Sequence, residues 1–255
     1  MNNFNAEIET KNIVKFIRRH FNENQLGGAV LGISGGKDSG TVAALLVKAL
    51  GKENVIGVWM PCHSKSEDMK DAQEVADYFN IQMLSFNLTD TYDVFKKEAT
   101  EVLGEGENYT VNSDINVKPR LRMATLYYIA AYMTEKTGKQ YIVAGTGNKC
   151  EIFVGYFTKW GDGASDIALI ADYTVDEVIK IGEYLNVPKA CLYKAPNDGL
   201  TGKTDEEKLG VKYSEIVNYI ENPQKISAST KEKIKTLHEK SQHKFIVPTY
   251  RRKWK

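Results

Sequence analysis

The 255 residues carry a net charge of +1, with 42% apolar and 26% charged side chains, the balance of an ordinary globular chain. That near-neutral charge argues against a broad nucleic-acid surface, and the longest apolar run near the middle, residues 126–133, is far too short to cross a bilayer. Glu7, Glu9 and Lys11 break up any signal-peptide core, and the dispersed Cys62, Cys150 and Cys191 form no C-x-x-C pair, so zinc, iron–sulfur and disulfide frameworks are disfavoured. A soluble protein of a reducing cytoplasm is expected.

Apolar Ile8, Val14, Phe16, Ile17 and Phe21 space an amphipathic leading helix over 8–21. Residues 29–39 then read AVLGISGGKDS and open onto the helical pattern GTVAALLVKAL. This is the order of a strand ending in a phosphate cradle. Gly35 and Gly36 lack a Cβ, so the chain can turn sharply and bring backbone N–H groups close to an anion. The following helix adds the partial positive charge of its N-terminus. Ser34, Lys37 and Ser39 supply donors to phosphate oxygens, and Asp38 can hold a Mg²⁺ that the phosphates share. The loop is not the G-x-x-x-x-G-K-[ST] form. Its shorter S-G-G-x-D-S pattern resembles the pyrophosphate loop of the ATP pyrophosphatase superfamily, whose members adenylate a substrate and release pyrophosphate.

Strands and helices then alternate: a β-branched strand over 55–60, a helix over 66–79, a strand over 81–86 and a helix over 92–102. A long helix over 117–136 precedes a strand over 141–144 that opens into Gly145 and Thr146. Such alternation predicts a single-domain α/β fold, a doubly wound parallel sheet with helices on both faces. Ligands bind such sheets at the carboxyl ends of strands, beside a topological switch point, and Ser34 and Thr146 both fall at strand ends. Beyond residue 165, helices are expected over 174–185, 213–220 and 230–240, with a polar, turn-rich loop over 194–210.

Glu151 lies five residues past Thr146 and can serve as a second carboxylate for the ion that Asp38 reaches. Its ordinary alternative is to cap or salt-bridge a surface helix. GISGGKDS (32–39), NVKPRLRM (116–123), GTGNKCE (145–151), FTKWGDGASD (157–166), KAP (194–196) and the pair His243–Lys244 resemble, in matching order, the motifs of NAD synthetase. The resemblance spans about residues 10 to 250 and implies the adenine nucleotide alpha hydrolase-like fold. It implies ATP binding by Gly32, Ile33, Ser34, Gly35, Gly36, Lys37, Asp38, Ser39 and Thr146, with Mg²⁺ on Asp38 and Glu151. It further implies contacts to deamido-NAD from Arg120, Lys159, Asp166, His243 and Lys244. Arginine suits bidentate oxyanion contacts and lysine supplies a point charge, as an anionic dinucleotide requires. Structural alternatives stand beside these roles: Arg120 solvated at a helix start, Lys159 packed along Trp160, His243 capping a helix C-terminus. Tyr156, Phe157 and Trp160 read as core or interface before base-stacking platforms.

Two positions depart from the family pattern. Val175 stands where a lysine touching ATP phosphate is usual, so that either Lys180 or Lys194 substitutes or phosphate binding is weaker, and Asn197 stands where a threonine is common. The implied reaction is adenylation of the nicotinate carboxylate followed by amidation. No stretch of the chain is left over for a glutaminase, so ammonia is the expected nitrogen source, and the family implies a homodimer. The alternatives are an RNA-modifying relative that adenylates a tRNA base, disfavoured by the neutral charge, and a nucleotide-binding protein with a degenerate site, for which Val175 is the argument.

Overall fold

The computed structural model describes residues 4–64, 66–104, 111–194 and 204–250. In chain order it runs α1 (Ala6–Glu23), β1 (Leu26–Gly32), α2 (Lys37–Leu50), β2 (Val55–Trp59), α3 (Ser66–Phe79) and β3 (Gln82–Ser85). There follow α4 (Thr89–Leu103), α5 (Val111–Thr137), β4 (Gln140–Gly145), α6 (Lys149–Val154), β5 (Ile167–Ala168) and α7 (Val175–Tyr184). Then come α8 (Lys189–Leu192), α9 (Asp205–Leu209), α10 (Tyr213–Glu221) and α11 (Ala228–Ser241), before a 3-10 turn, Gln242–Lys244.

The five strands lie in the order β3-β2-β1-β4-β5, and every pair is parallel. β1 is the switch point: β2 pairs on one side (Gly32 against Val58) and β4 on the other (Val30 against Val143). The crevice at its carboxyl end is therefore where the topology itself opens a binding site. A central parallel strand is buried on both faces, which is why β1 reads as an unbroken apolar run. Leu31 faces a core built with Ile17, Val42, Leu45, Leu46 and Ile181 of α1, α2 and α7. Val30, one residue earlier, faces the opposite core with Ile129 of α5 and Tyr92 of α4. Each such buried aliphatic contributes about 1.5–3 kcal/mol, so both layers are firmly seated on the sheet. A third cluster joins Cys150 and Val154 of α6 to Leu209, Ile216 and Ile234 of α9, α10 and α11.

The doubly wound architecture matches the expectation, with two local differences. α5 starts at Val111, well before residue 117, and carries Pro119 in its interior. The expected loop over 194–210 contains α9, capped by Thr204, whose hydroxyl accepts from the Glu207 N–H at 3.3 Å. Residues 195–203, Asn197 among them, lie outside the described residues. No helix among the described residues is long and apolar enough to cross a membrane.

Candidate active site

A crevice of about 1100 Å³ opens at the carboxyl ends of β1, β2 and β4, walled by the loops after β1 and β4 and by the 157–165 segment. Gly35 turns the first loop with φ of 76°, and a Cβ there would stand 2.4 Å from the Asp71 Cβ. Only glycine fits that turn. The loop is stapled by its own hydroxyls: the Gly36 N–H donates to Ser34 Oγ at 3.3 Å, and Ser39 Oγ donates to the Gly36 carbonyl at 3.1 Å. Beneath it the Cys191 thiol also donates to that carbonyl, at 3.1 Å. Gly36 caps α2 without any side-chain hydrogen bond, so the first-turn N–H groups of α2 are left to a ligand in the crevice.

Lys37 is buried, 3.0 Å from Asp38 Oδ2 and 5.8 Å from the centre of the Tyr213 ring. Burial works to lower its pKa, but Asp38, Glu151 and Asp205 outweigh that and raise it, so its charge is held among three acids. The two carboxylates expected to share an ion are joined through Asn148. Its Nδ2 donates to Asp38 Oδ1 at 3.2 Å, and its N–H donates to Glu151 Oε2 at 3.0 Å. Glu151 closes the capping box of α6, the structural alternative, and it also lines the crevice. Burial, and then the neighbouring Asp38 charge, hold the Glu151 carboxyl well above the usual carboxylate range. Two neighbouring carboxylates in such a setting form a site that a hard divalent cation would discharge, and carboxylate oxygens are its preferred donors.

The remaining expected residues divide. Gly32, Ile33, Ser34, Gly36, Ser39 and Thr146 line the crevice, as does Lys244. Lys244 Nζ donates to the carbonyls of Gly155 and Phe157 at 2.7 and 2.6 Å. Lys159 Nζ donates to the His243 carbonyl at 2.7 Å and stands 5.4 Å from the centre of the Trp160 ring. His243 Nδ1 meets the Lys240 carbonyl at 2.7 Å, the helix-capping alternative. Asp166 accepts from the Val143 N–H at 2.8 Å and from the Tyr127 hydroxyl at 3.1 Å. Arg120 is exposed on α5, away from the crevice wall of its own chain. Val175 packs into the third apolar cluster. Of its two suggested substitutes, Lys194 lines the crevice and pairs with Asp71 at 2.5 Å, whereas Lys180 lies over the Phe4 ring.

Four crevice residues were given no ligand role from the sequence. Arg122, two residues past Arg120, donates Nε to the Met60 carbonyl at 3.1 Å. Asp162 accepts from the Thr158 N–H at 2.9 Å; burial pushes its carboxyl up, against that hydrogen bond and the Lys244 and Arg122 charges. Asp205 accepts from the hydroxyls of Tyr156 and Tyr213 at 3.1 and 3.3 Å. Trp160 projects from a left-handed backbone, φ 60°, and is 57% exposed at the crevice, so it is not core. The capping pattern Thr204-x-x-Glu207 was the sequence signal for α9 and hence for Asp205. Burial pushes the Cys150 and Cys191 thiols up to about 11 and about 12, so neither is a nucleophile near neutrality.

A family model for NAD synthase matches residues 9–248. The NH₃-dependent NAD⁺ synthetase of Carboxydothermus hydrogenoformans is 40% identical over 248 residues, 96% of this chain and 97% of its own. That of Archaeoglobus fulgidus is 38% identical over 250 residues, 96% of each chain. Among solved structures, the NMN synthetase from Francisella tularensis superposes with a TM-score of 0.86 at 32% identity, covering 98% of this chain and 99% of its own. The NH₃-dependent NAD synthetase from Campylobacter jejuni gives 0.78 at 27% identity, covering 98% and 100%.

Proposed function

The chain belongs to the NAD synthase family, and from that premise we propose that it amidates deamido-NAD to NAD with ammonia, converting ATP to AMP and pyrophosphate. The observation that carries the reading is the meeting, at one crevice, of the uncapped N-terminus of α2 with Asp38 and Glu151. We read residues 1–255 as one such domain, acting in the cytoplasm, where its buried cysteines stay reduced.

The carboxylate of nicotinate is a poor electrophile. Its oxygen attacks the α-phosphorus of ATP, pyrophosphate leaves toward the Gly35–Gly36 turn, and ammonia then displaces AMP from the acyl-adenylate. Ser34, Ser39 and the first-turn N–H groups of α2 receive the departing phosphates, and Thr146 borders them from β4. Lys37 holds positive charge under the loop, and Lys194, paired with Asp71 beside the Gly35 turn, lines the same crevice. Asp38 and Glu151 are the residues that would hold Mg²⁺, which would neutralise charge on the triphosphate. Positioning and neutralisation of charge are most of what such transfers ask of a protein. Arg120, Lys159, Asp166, His243 and Lys244 are read as the deamido-NAD side of the site. Four of them already hold main-chain or side-chain partners, so substrate has to draw on their remaining hydrogen-bonding capacity or exchange those partners.

A homodimer is part of the reading. Exposed Val94, Phe95, Val102 and Leu103 of α4, with Tyr128 and Tyr132 of α5, are more apolar surface than a solitary subunit needs. A second substrate reading, amidation of the mononucleotide, is favoured by the likeness to the Francisella NMN synthetase. Pyrophosphate release from ATP tests both: deamido-NAD plus ammonium is expected to support it best. Preference for nicotinate mononucleotide selects the second reading, efficient use of glutamine in place of ammonium refutes the nitrogen source, and release with neither nicotinate substrate refutes both.

A further inference from the structure

Asn148 is fully buried, and its amide and its N–H group are all engaged. Its Oδ1 accepts from the N–H groups of Cys150 and Glu151 at 3.0 and 3.2 Å. Those two main-chain donors decide which end of the amide is oxygen, so it is the NH₂ end that meets Asp38 Oδ1 at 3.2 Å, 110 residues away along the chain. A serine or aspartate would cap α6 as well, so capping alone does not account for an asparagine here. A short side chain that accepts from a helix terminus and still has a donor for a carboxylate is an amide.

We propose that Asn148 is a positioning residue that holds Asp38 and Glu151 in register, so that the pair receives metal-bound nucleotide without rearranging. The proposal rests on the reading of those two carboxylates as magnesium ligands. Asn148 touches both: its main chain fixes the Glu151 carboxylate on α6, and its side chain fixes the Asp38 carboxylate on α2. Without the amide donor, Asp38 keeps only Lys37 of these two partners, 3.0 Å from its other oxygen, and turns toward it. The two acids then no longer face one point.

Asn148→Ser keeps a capping hydroxyl and loses the donor to Asp38. Binding of a non-hydrolysable ATP analogue is followed by calorimetry across a Mg²⁺ titration, beside a thermal melt. The variant is expected to melt close to the parent and to bind metal-free analogue alike, yet to need at least about tenfold more Mg²⁺ for half-maximal binding. An unchanged Mg²⁺ requirement overturns the proposal, and so does equal weakening with and without metal, which marks a structural cap only. Should the variant fail to melt cooperatively, the parent decides: the Asn148 side-chain NH₂ resonance shifts when Mg²⁺ is added to analogue-bound protein, and a resonance that stays put overturns the proposal. A parent whose analogue binding ignores Mg²⁺ overturns the metal reading and this proposal with it.

Discussion

At the scale of single residues, several side chains that line the crevice also hold structural positions. Glu151 closes a capping box and also faces the crevice, so its removal tests two effects that have to be separated. Losing the box costs about 0.5–2 kcal/mol of stability, whereas losing a preorganised stabiliser of developing charge costs about 100 to 1,000-fold in rate. Asp38→Ala and Glu151→Ala are therefore each expected to reduce turnover by about that factor in protein that still melts cooperatively. Parental turnover in either variant removes the metal assignment. Trp160 makes the complementary case. Its left-handed backbone costs about 1–3 kcal/mol in a non-glycine residue, yet the ring is more than half exposed and gains little from burial. Trp160→Gly is expected to hold or raise the melting temperature while raising the KM for the dinucleotide at least about fivefold through lost stacking. A drop in melting temperature with unchanged KM would make the ring structural.

At the scale of elements, what the sequence disclosed followed length and periodicity. β1 and β2 are β-branched or apolar runs with no polar interruption, and α1, α2 and α3 carry clear helical spacing, so their places were legible from residues alone. α6 was not, because six residues cannot display a 3.6-residue period; its signal is the cap, Asn148-x-x-Glu151. α5 escaped at its start because a proline normally marks a first turn, and here Pro119 sits inside the helix. Motif order pointed to residues 32–39 and Glu151, which line the crevice apart from Gly35, but it could not reveal that Arg122, rather than Arg120, faces the crevice of this chain. That depends on the rotation of a 27-residue helix, which neighbouring arginines do not report. Motif order also could not foresee that the 3-10 turn at Gln242–Lys244 is tied down by Lys244. Its ammonium donates to two carbonyls of the loop after α6, and burial lowers its pKa. Lys244→Met preserves the stem and leaves those carbonyls without their donor, at a cost of about 1–3 kcal/mol. A lowered melting temperature, together with a raised KM for deamido-NAD, is the expected result; an unchanged melt would show that the tether contributes nothing to the fold.

At the scale of the whole molecule, the position of Arg120 and the apolar surface of α4 and α5 pose one question. Arg120 is exposed and does not line its own chain's crevice, although the motif that contains it implies a substrate contact. Exposed Tyr128 and Tyr132 lie further along the same helix. A two-fold homodimer pairs one self-complementary patch, residue i against residue j and j against i, so a residue of α5 in such a patch could serve the partner's crevice. This arrangement makes a prediction that no monomer satisfies. Arg120→Ala supplies an intact phosphate loop but no arginine to its partner, and Asp38→Ala supplies the arginine but no metal ligand. Each alone is expected to be nearly inactive. Unfolded together and refolded at equal amounts, half of the dimers are mixed, and one site in each mixed dimer is intact. About a quarter of parental activity should return. Activity that stays at the sum of the two separate variants places Arg120 within its own chain or outside the reaction. Tyr132→Glu provides the control: if α5 forms the boundary, a charge there should yield monomers by sedimentation and abolish the complementation, and Tyr132 does not line the crevice.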